Sequence, residues 1–272
     1  MNTLTDRAAL IRNRRRANRT GQPALFLHEA ARDEIKHRLE LVNKTFSDIA
    51  VVSGFPEFWQ NTFTEALCVS DDATLELAPQ AHDLVIHTMC LHWADDPVGQ
   101  MIQVRRALQA DGLFLAVMFG GETLHELRAA LAQAESDLFG GLSPRVAPMA
   151  EIRDLGALLQ RAGFALPVAD SLPTKVSYTS PHHLMRDLQA MGENNALASR
   201  LRHGTQKRLF DRACDIYRDR FGDDQNRITA TFDLIFLTGW APDASQPQPL
   251  RPGSASSRLA DALGATETPL KD

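Results

Sequence analysis

The chain has 272 residues, 44% of them hydrophobic and 23% charged, with a formal net charge of −5. This composition suits a globular protein with a sizeable core and points away from nucleic-acid and membrane-surface partners. Cys68, Cys90 and Cys214 are too scattered for a disulfide framework or a zinc site, and no apolar run nears the ~20 residues of a membrane span, so a reducing cytoplasm is the expected compartment.

Residues 12–42 predict one or two helices. The stretch "PALFLHEAARDEIKHRLELV" has amphipathic spacing, with Leu25, Leu27, Ile35, Leu39 and Val42 available to a core. Arg12, Arg14, Arg15, Arg16 and Arg19 precede it. Early Asp6 and the adjoining helix argue against a transit peptide, leaving a solvated helix face or a basic lid or partner patch. Residues 49–52 are a short apolar strand leading into Gly54. Such a strand in a nucleotide-binding αβ domain opens into a glycine-rich turn facing the ligand. Here Phe55, Pro56, Glu57, Phe58 and Trp59 follow instead.

Residues 65–72, "EALCVSDD", predict a second short strand ending in acids. Residues 82–93 predict a third, with the continuous apolar centre of a parallel strand buried on both faces. Asp95 or Asp96 can cap the next helix, with Pro97 in its first turn. A turn at Asp111-Gly112 then leads into a strand over 113–119. Helices are expected over 123–138, with Thr123 as N-cap, and over 150–162, closed by Gly163. Residues 181–191 and 206–221 form a further helical pair. Residues 228–240, rich in β-branched and aromatic side chains, predict a late strand, and the proline- and serine-rich 241–253 an extended arm. Strands alternating with helices in this way build a doubly wound αβ sheet.

Together, His82-Asp83-Leu84-Val85-Ile86, "LHW" at Leu91 to Trp93 and "RRALQADGLFLAVMFGGETLHELR" resemble class I S-adenosylmethionine (SAM) methyltransferases, over roughly residues 25–240. The "LHW" loop is similar to the branch containing the biotin-pathway O-methyltransferase that acts on a malonyl carrier protein. "SPRVAPMAEIRDLGALLQRAGFALPVADS", "LMRDLQAMGENNAL", "TFDLIFLTGWAP" and "PLRPGSASSRLADAL" are similar to bacterial relatives of a mitochondrial complex I assembly factor, described as a SAM-dependent arginine hydroxylase. The resemblance implies an α/β fold with a Rossmann-like methyltransferase sheet and helical N-terminal and insertion segments. Residues 1–45 would form the N-terminal helices, 46–240 the αβ domain with its insertion at about 181–221, and 241–272 the tail. It further implies SAM as cofactor and a respiratory-complex subunit as protein partner.

Aligned on the first strand, Gly54 takes the first position of the family's Gly-x-Gly-x-Gly turn, and Pro56 and Phe58 take the other two. Glycines there let the main chain approach the methionine part of the cofactor. Proline removes an amide donor and fixes φ, and a phenyl ring fills the gap a glycine leaves. Only 83 − 54 = 29 positions separate Gly54 from Asp83. Two helices and two strands do not fit that interval, so one βα unit is expected to be lost. "CVSDDATLELAP" then reads as strand three, with Asp71 towards the adenine amino group and no ribose acid. Alternatively it is strand two, closed by Asp71 or Asp72, with strand three gone.

His87 and Thr88 fall where the family's small polar residues flank the cofactor. His92 reads as a substrate-side acid or base, or as a histidine packed beside Trp93. Arg186, Glu193, Asn194 and Asn195 lie in the insertion that covers the family's active site and are substrate-side candidates, whereas Met185, Leu188 and Met191 at helical spacing read as core. No catalytic residue and no metal site is assigned. The bulky turn predicts that Phe55, Phe58 and Trp59 fill a vacated cofactor hollow, because an empty void costs packing energy. The expected function is binding or assembly with weak or absent SAM turnover. The alternative is an active SAM-dependent methyltransferase or arginine hydroxylase acting on a protein or acyl-carrier substrate.

Overall fold

The apolar runs of the sequence become the centre of one sheet. The computed structural model describes residues 3–19 and 23–247, and Gly264. In chain order the elements are α1 (Arg7–Arg19), α2 (Phe26–Leu41), β1 (Ile49–Ser53), α3 (Pro56–Gln60), β2 (Leu67–Val69) and β3 (His82–Thr88). After a 3-10 turn (Leu91–Trp93) come α4 (Pro97–Ala107), β4 (Leu108–Phe119), α5 (His125–Phe139), α6 (Ile152–Arg161), β5 (Ala165–Tyr178), α7 (Pro181–Ala190), α8 (Lys207–Phe221) and β6 (Ile228–Trp240).

The strand order is β2-β1-β3-β4-β6-β5. The first four strands run parallel, while β6 is antiparallel to both β4 and β5. Side chains alternate across the pleat, so β1 feeds two cores. Val51 joins Leu27, Trp59, Ile86 and Leu184 on one face; Ala50 and Val52 join Met101, Phe114 and Leu159 on the other. Both faces are covered, as continuous apolar strands require.

β2 pairs with β1 in parallel register, Leu67 to Val69 beside Ala50 to Val52, on the side away from β3. That is the place of strand two, with Asp71 and Asp72 just past its end. The strand-three reading of this segment is therefore corrected, and among the described residues no strand lies beyond β2. Gly163 closes α6 at φ +85°, a conformation that favours glycine. Asp96 caps α4 by accepting from Gly99 N at 2.8 Å.

Thr123 is not the cap of α5. Leu124 holds that position at φ 54°, and Thr123 Oγ1 instead donates to Gly120 O (2.8 Å) and accepts from Asp233 N (2.9 Å), tying the end of β4 to β6. β5 is an edge strand that the sequence did not suggest. Among the described residues no helix is long and apolar enough to cross a membrane. Residues 243–247 belong to a second unit. Residues 248–253 of the expected arm, and "PLRPGSASSRLADAL", lie outside the described residues.

Candidate functional site

In open αβ sheets ligands bind past the carboxyl ends of the parallel strands. Here β1 ends at Ser53, whose Oγ accepts from Phe55 N at 3.0 Å and turns the chain through Gly54. Pro56 then opens α3 from its first turn, where a missing N–H costs nothing. Phe55 and Trp59 are 3% and 0% exposed. The His28 ring of α2 meets Phe55 edge-on, 5.2 Å between centroids, and Trp59 stacks on Phe63 at 6.5 Å. Phe55 and Trp59 are thus buried as expected. Phe58 is a correction: it is only half-buried, with the Arg32 guanidinium 5.7 Å from its ring.

What covers Gly54 is neither aromatic nor proline. A Cβ at Gly54 would overlap the guanidinium of Arg14, which α1 carries inward. Arg14 Nη1 donates to both oxygens of Asp71, at 2.8 and 2.9 Å. Arg7 Nη2 donates to Asp71 Oδ1 (2.7 Å) and to Asp72 Oδ1 (3.0 Å). Arg14 and Asp71 are both buried, and Arg14 Nε has no partner. Burial alone would raise the Asp71 pKa. The Arg7 hydrogen bond and the charges of Arg14 and Arg7 override it and hold the carboxyl well below the usual range.

Beneath this pair, Gln100 Nε2 donates to the Asp72 carbonyl at 3.0 Å, and its Oε1 lies 2.9 Å from His87 Nε2. That contact places the His87 proton on Nε2, leaving Nδ1 facing Cys90 Sγ at 3.5 Å. Burial pushes His87 down to about 4, so the ring is neutral, and pushes the Cys90 thiol up, so it is unreactive. Thr88 Oγ1 donates to Val52 O at 3.1 Å. Both side chains serve the strand ends and offer no free group to a ligand.

A cleft of about 340 Å³ opens on the same side of the sheet, between α5, α7, α8 and the 143–149 loop. Phe119, Leu127, Met185 and Phe210 give it an apolar wall, with Glu193 and Asn194 at its polar end. Glu193 Oε2 accepts from Trp93 Nε1 at 2.8 Å and lies 3.2 Å from His92 Nε2. Burial opposes the Glu193 charge, but His92 beside it and the hydrogen bonds hold its pKa below the ordinary value. His92 does not line the cleft. Its ring packs against Phe119 at 5.0 Å and positions Glu193. Asn194 accepts from Asn13 Nδ2 through its carbonyl, and Asn195 Nδ2 donates to Pro144 O at 2.8 Å.

Gly54, Asp71 and Asp72 thus meet at one point with Arg7 and Arg14, and His87 and Thr88 lie just below. Asn194 lines the cleft beside Glu193, His92 sits behind Glu193, and Arg186 lines neither site. Sequence reasoning missed the inward turn of Arg14. Its signal was there in the spacing: Leu10, Arg14 and Ala17 share one helix face and are all buried. Nothing in the sequence marked Gln100. The residues present do not fit SAM in the usual way. The carboxylate that would accept ribose hydroxyls already has both oxygens on arginine, and the glycine that would admit the methionine part lies under Arg14.

No protein-family model matches the chain. A Dictyostelium discoideum protein named arginine-hydroxylase NDUFAF5, mitochondrial, is 41% identical over 197 residues, covering 72% of this chain and 45% of the relative. The human protein of that name is 36% identical over 193 residues, 69% and 54%. A malonyl-[acyl-carrier protein] O-methyltransferase of Laribacter hongkongensis is 32% identical over 188 residues, 69% and 61%. A Bacillus halodurans structure described as a candidate methyltransferase superposes with a TM-score of 0.52 at 12% identity, covering 78% of this chain and all of that one. The chain has the class I methyltransferase fold and is a homologue of the proteins named arginine-hydroxylase NDUFAF5. At 12% identity the Bacillus structure speaks for the fold alone. This methyltransferase-fold chain spans about half the length of the NDUFAF5 relatives it matches.

Proposed function

We propose that this methyltransferase-fold protein works by binding, in the assembly of a respiratory-complex subunit in a bacterial cytoplasm, without SAM turnover. The observation that carries the reading is Arg14: its guanidinium lies on Gly54 and satisfies Asp71, the two groups a cofactor would need first. Methyl transfer asks the protein mainly for alignment and exclusion of water, so the missing acid–base motif is neutral evidence. Arg14 lying over Gly54 and paired with Asp71 weighs against turnover. Asp71 and Asp72 are recast as anchors for α1.

The likeness to proteins named arginine-hydroxylase supports the family side of the reading. The competing reading, an active SAM-dependent methyltransferase or hydroxylase on a protein or acyl-carrier substrate, draws on the open cleft beside Glu193. Equilibrium dialysis of labelled SAM against the full chain separates them. The binding reading expects no retention at millimolar SAM, whereas micromolar affinity, about −8 kcal/mol, restores the enzyme.

A further inference from the structure

Helix α1 spends one side on the protein and leaves the other bare. Ala9, Leu10, Arg14 and Ala17 are buried. Arg12, Arg15, Arg16 and Arg19 are all exposed. They stand at i, i+3, i+4 and i+7, so they fall within an arc of about 100° on the side away from Leu10 and Arg14. The helix RAALIRNRRRANR contains no acid. Among the described residues none of these four arginines makes an ion pair.

We propose that this arginine face is a docking surface for an acidic helical segment of a protein partner, with carboxylates at the matching i, i+3, i+4 and i+7 positions. It extends the binding reading by giving the partner's chemistry, and it can fail without that reading failing. A guanidinium grips a carboxylate through two parallel hydrogen bonds, which a lysine cannot do. One exposed pair contributes little, but four in register define a direction and a partner.

The helix is already fixed for this task. Asp95 Oδ1 accepts from Leu4 N (2.8 Å) and Thr5 N (2.9 Å), Asp6 pairs with Arg200 at 2.8 Å, and Arg14 locks the inner face. Little freedom is left to lose on binding. A lipid surface suits it poorly, because the apolar side of α1 is buried in the protein and cannot enter a bilayer. Nucleic acid suits it poorly too: the stripe is only about 10 Å long, and the chain around it carries a net charge of −5.

The test is fluorescence anisotropy on the full chain with two labelled helix-forming peptides of equal composition. One carries glutamates at i, i+3, i+4 and i+7, and the other carries them dispersed around the helix. The patterned peptide should bind about tenfold tighter, a difference of about 1.4 kcal/mol. The preference should vanish in the variant R12Q/R15Q/R16Q/R19Q and weaken in R12K/R15K/R16K/R19K, which keeps the charge but loses the fork. Melting temperature and SAM retention should match the parent chain in both variants. Equal binding of the two peptides, a pattern preference that survives in the glutamine variant, or tighter binding to phosphatidylserine vesicles or a short DNA duplex would each overturn the proposal.

Discussion

Arg14 decides the chemistry of the sheet's edge. A buried ion pair of this kind is costly to break, because removing one partner strands the other charge in the interior. Arg14→Ala should therefore lower stability by about 3–5 kcal/mol. Gly54 supplies a sharper check. A Cβ at Gly54 pushes the guanidinium away from Asp71, so Gly54→Ala should cost about 1–3 kcal/mol in the parent chain. In an Arg14→Ala background the clash is gone and Gly54→Ala should cost almost nothing. A double-mutant cycle by urea denaturation measures this; additive costs would mean that the two residues do not touch. The importance of Gly54 and Asp71 was legible, because an apolar strand running into a turn and an acid at a strand end carry meaning by position. Arg14 was harder to single out, as one of five similar arginines within eight residues.

At the scale of elements, the N-terminal strap is held from outside the helix it begins. Thr5 Oγ1 donates to Trp93 O at 2.8 Å, and the Asp95 carboxylate takes two backbone amides. Asp95→Ala should cost about 1–2 kcal/mol, as loss of a capping acceptor does. It should also speed hydrogen exchange in α1 while leaving β3 and β4 protected; unchanged exchange in α1 would show that the strap is held elsewhere. Capping signals at Asp96 and Pro97 disclosed α4, and β-branched and aromatic richness disclosed β6. β5 escaped for the opposite reason. "ALPVADSLPTKVSY" carries Pro167 and Pro173, has no apolar run, and leaves Val168 54% exposed. Only an edge strand tolerates such a sequence, since its outer amides need no partner.

Across the whole molecule, burial of titratable groups makes the fold acid-sensitive. His28 and His87 are both pushed down to about 4 by burial. The unfolded chain takes up their protons near pH 6.5 and the folded chain only near 4. Their stabilisation is therefore complete above about pH 6.5 and falls as pH drops towards 4, by roughly 3 kcal/mol each. Asp71 acts lower on the scale. Its folded pKa lies below the unfolded value, so its contribution is full above about pH 4 and drains away below that. Thermal melts between pH 7 and 4.5 should show a steady loss, and His28→Leu should shallow the slope; an unchanged slope would mean that His28 is protonated in the fold.

The sheet's six strands follow from the short interval after Gly54, which the sequence made countable. The filling of the space above it was not countable, because it depends on a helix some forty residues upstream. Pro56→Gly with Phe58→Gly should therefore not restore cofactor binding while Arg14 stays in place. The most direct measurement is a crystal structure of the chain grown in millimolar SAM. The account predicts Arg14 on Asp71 and Gly54, with no adenosyl group at the ends of β1 and β2. An adenosyl ligand there, its ribose on Asp71 and Arg14 displaced, would contradict it.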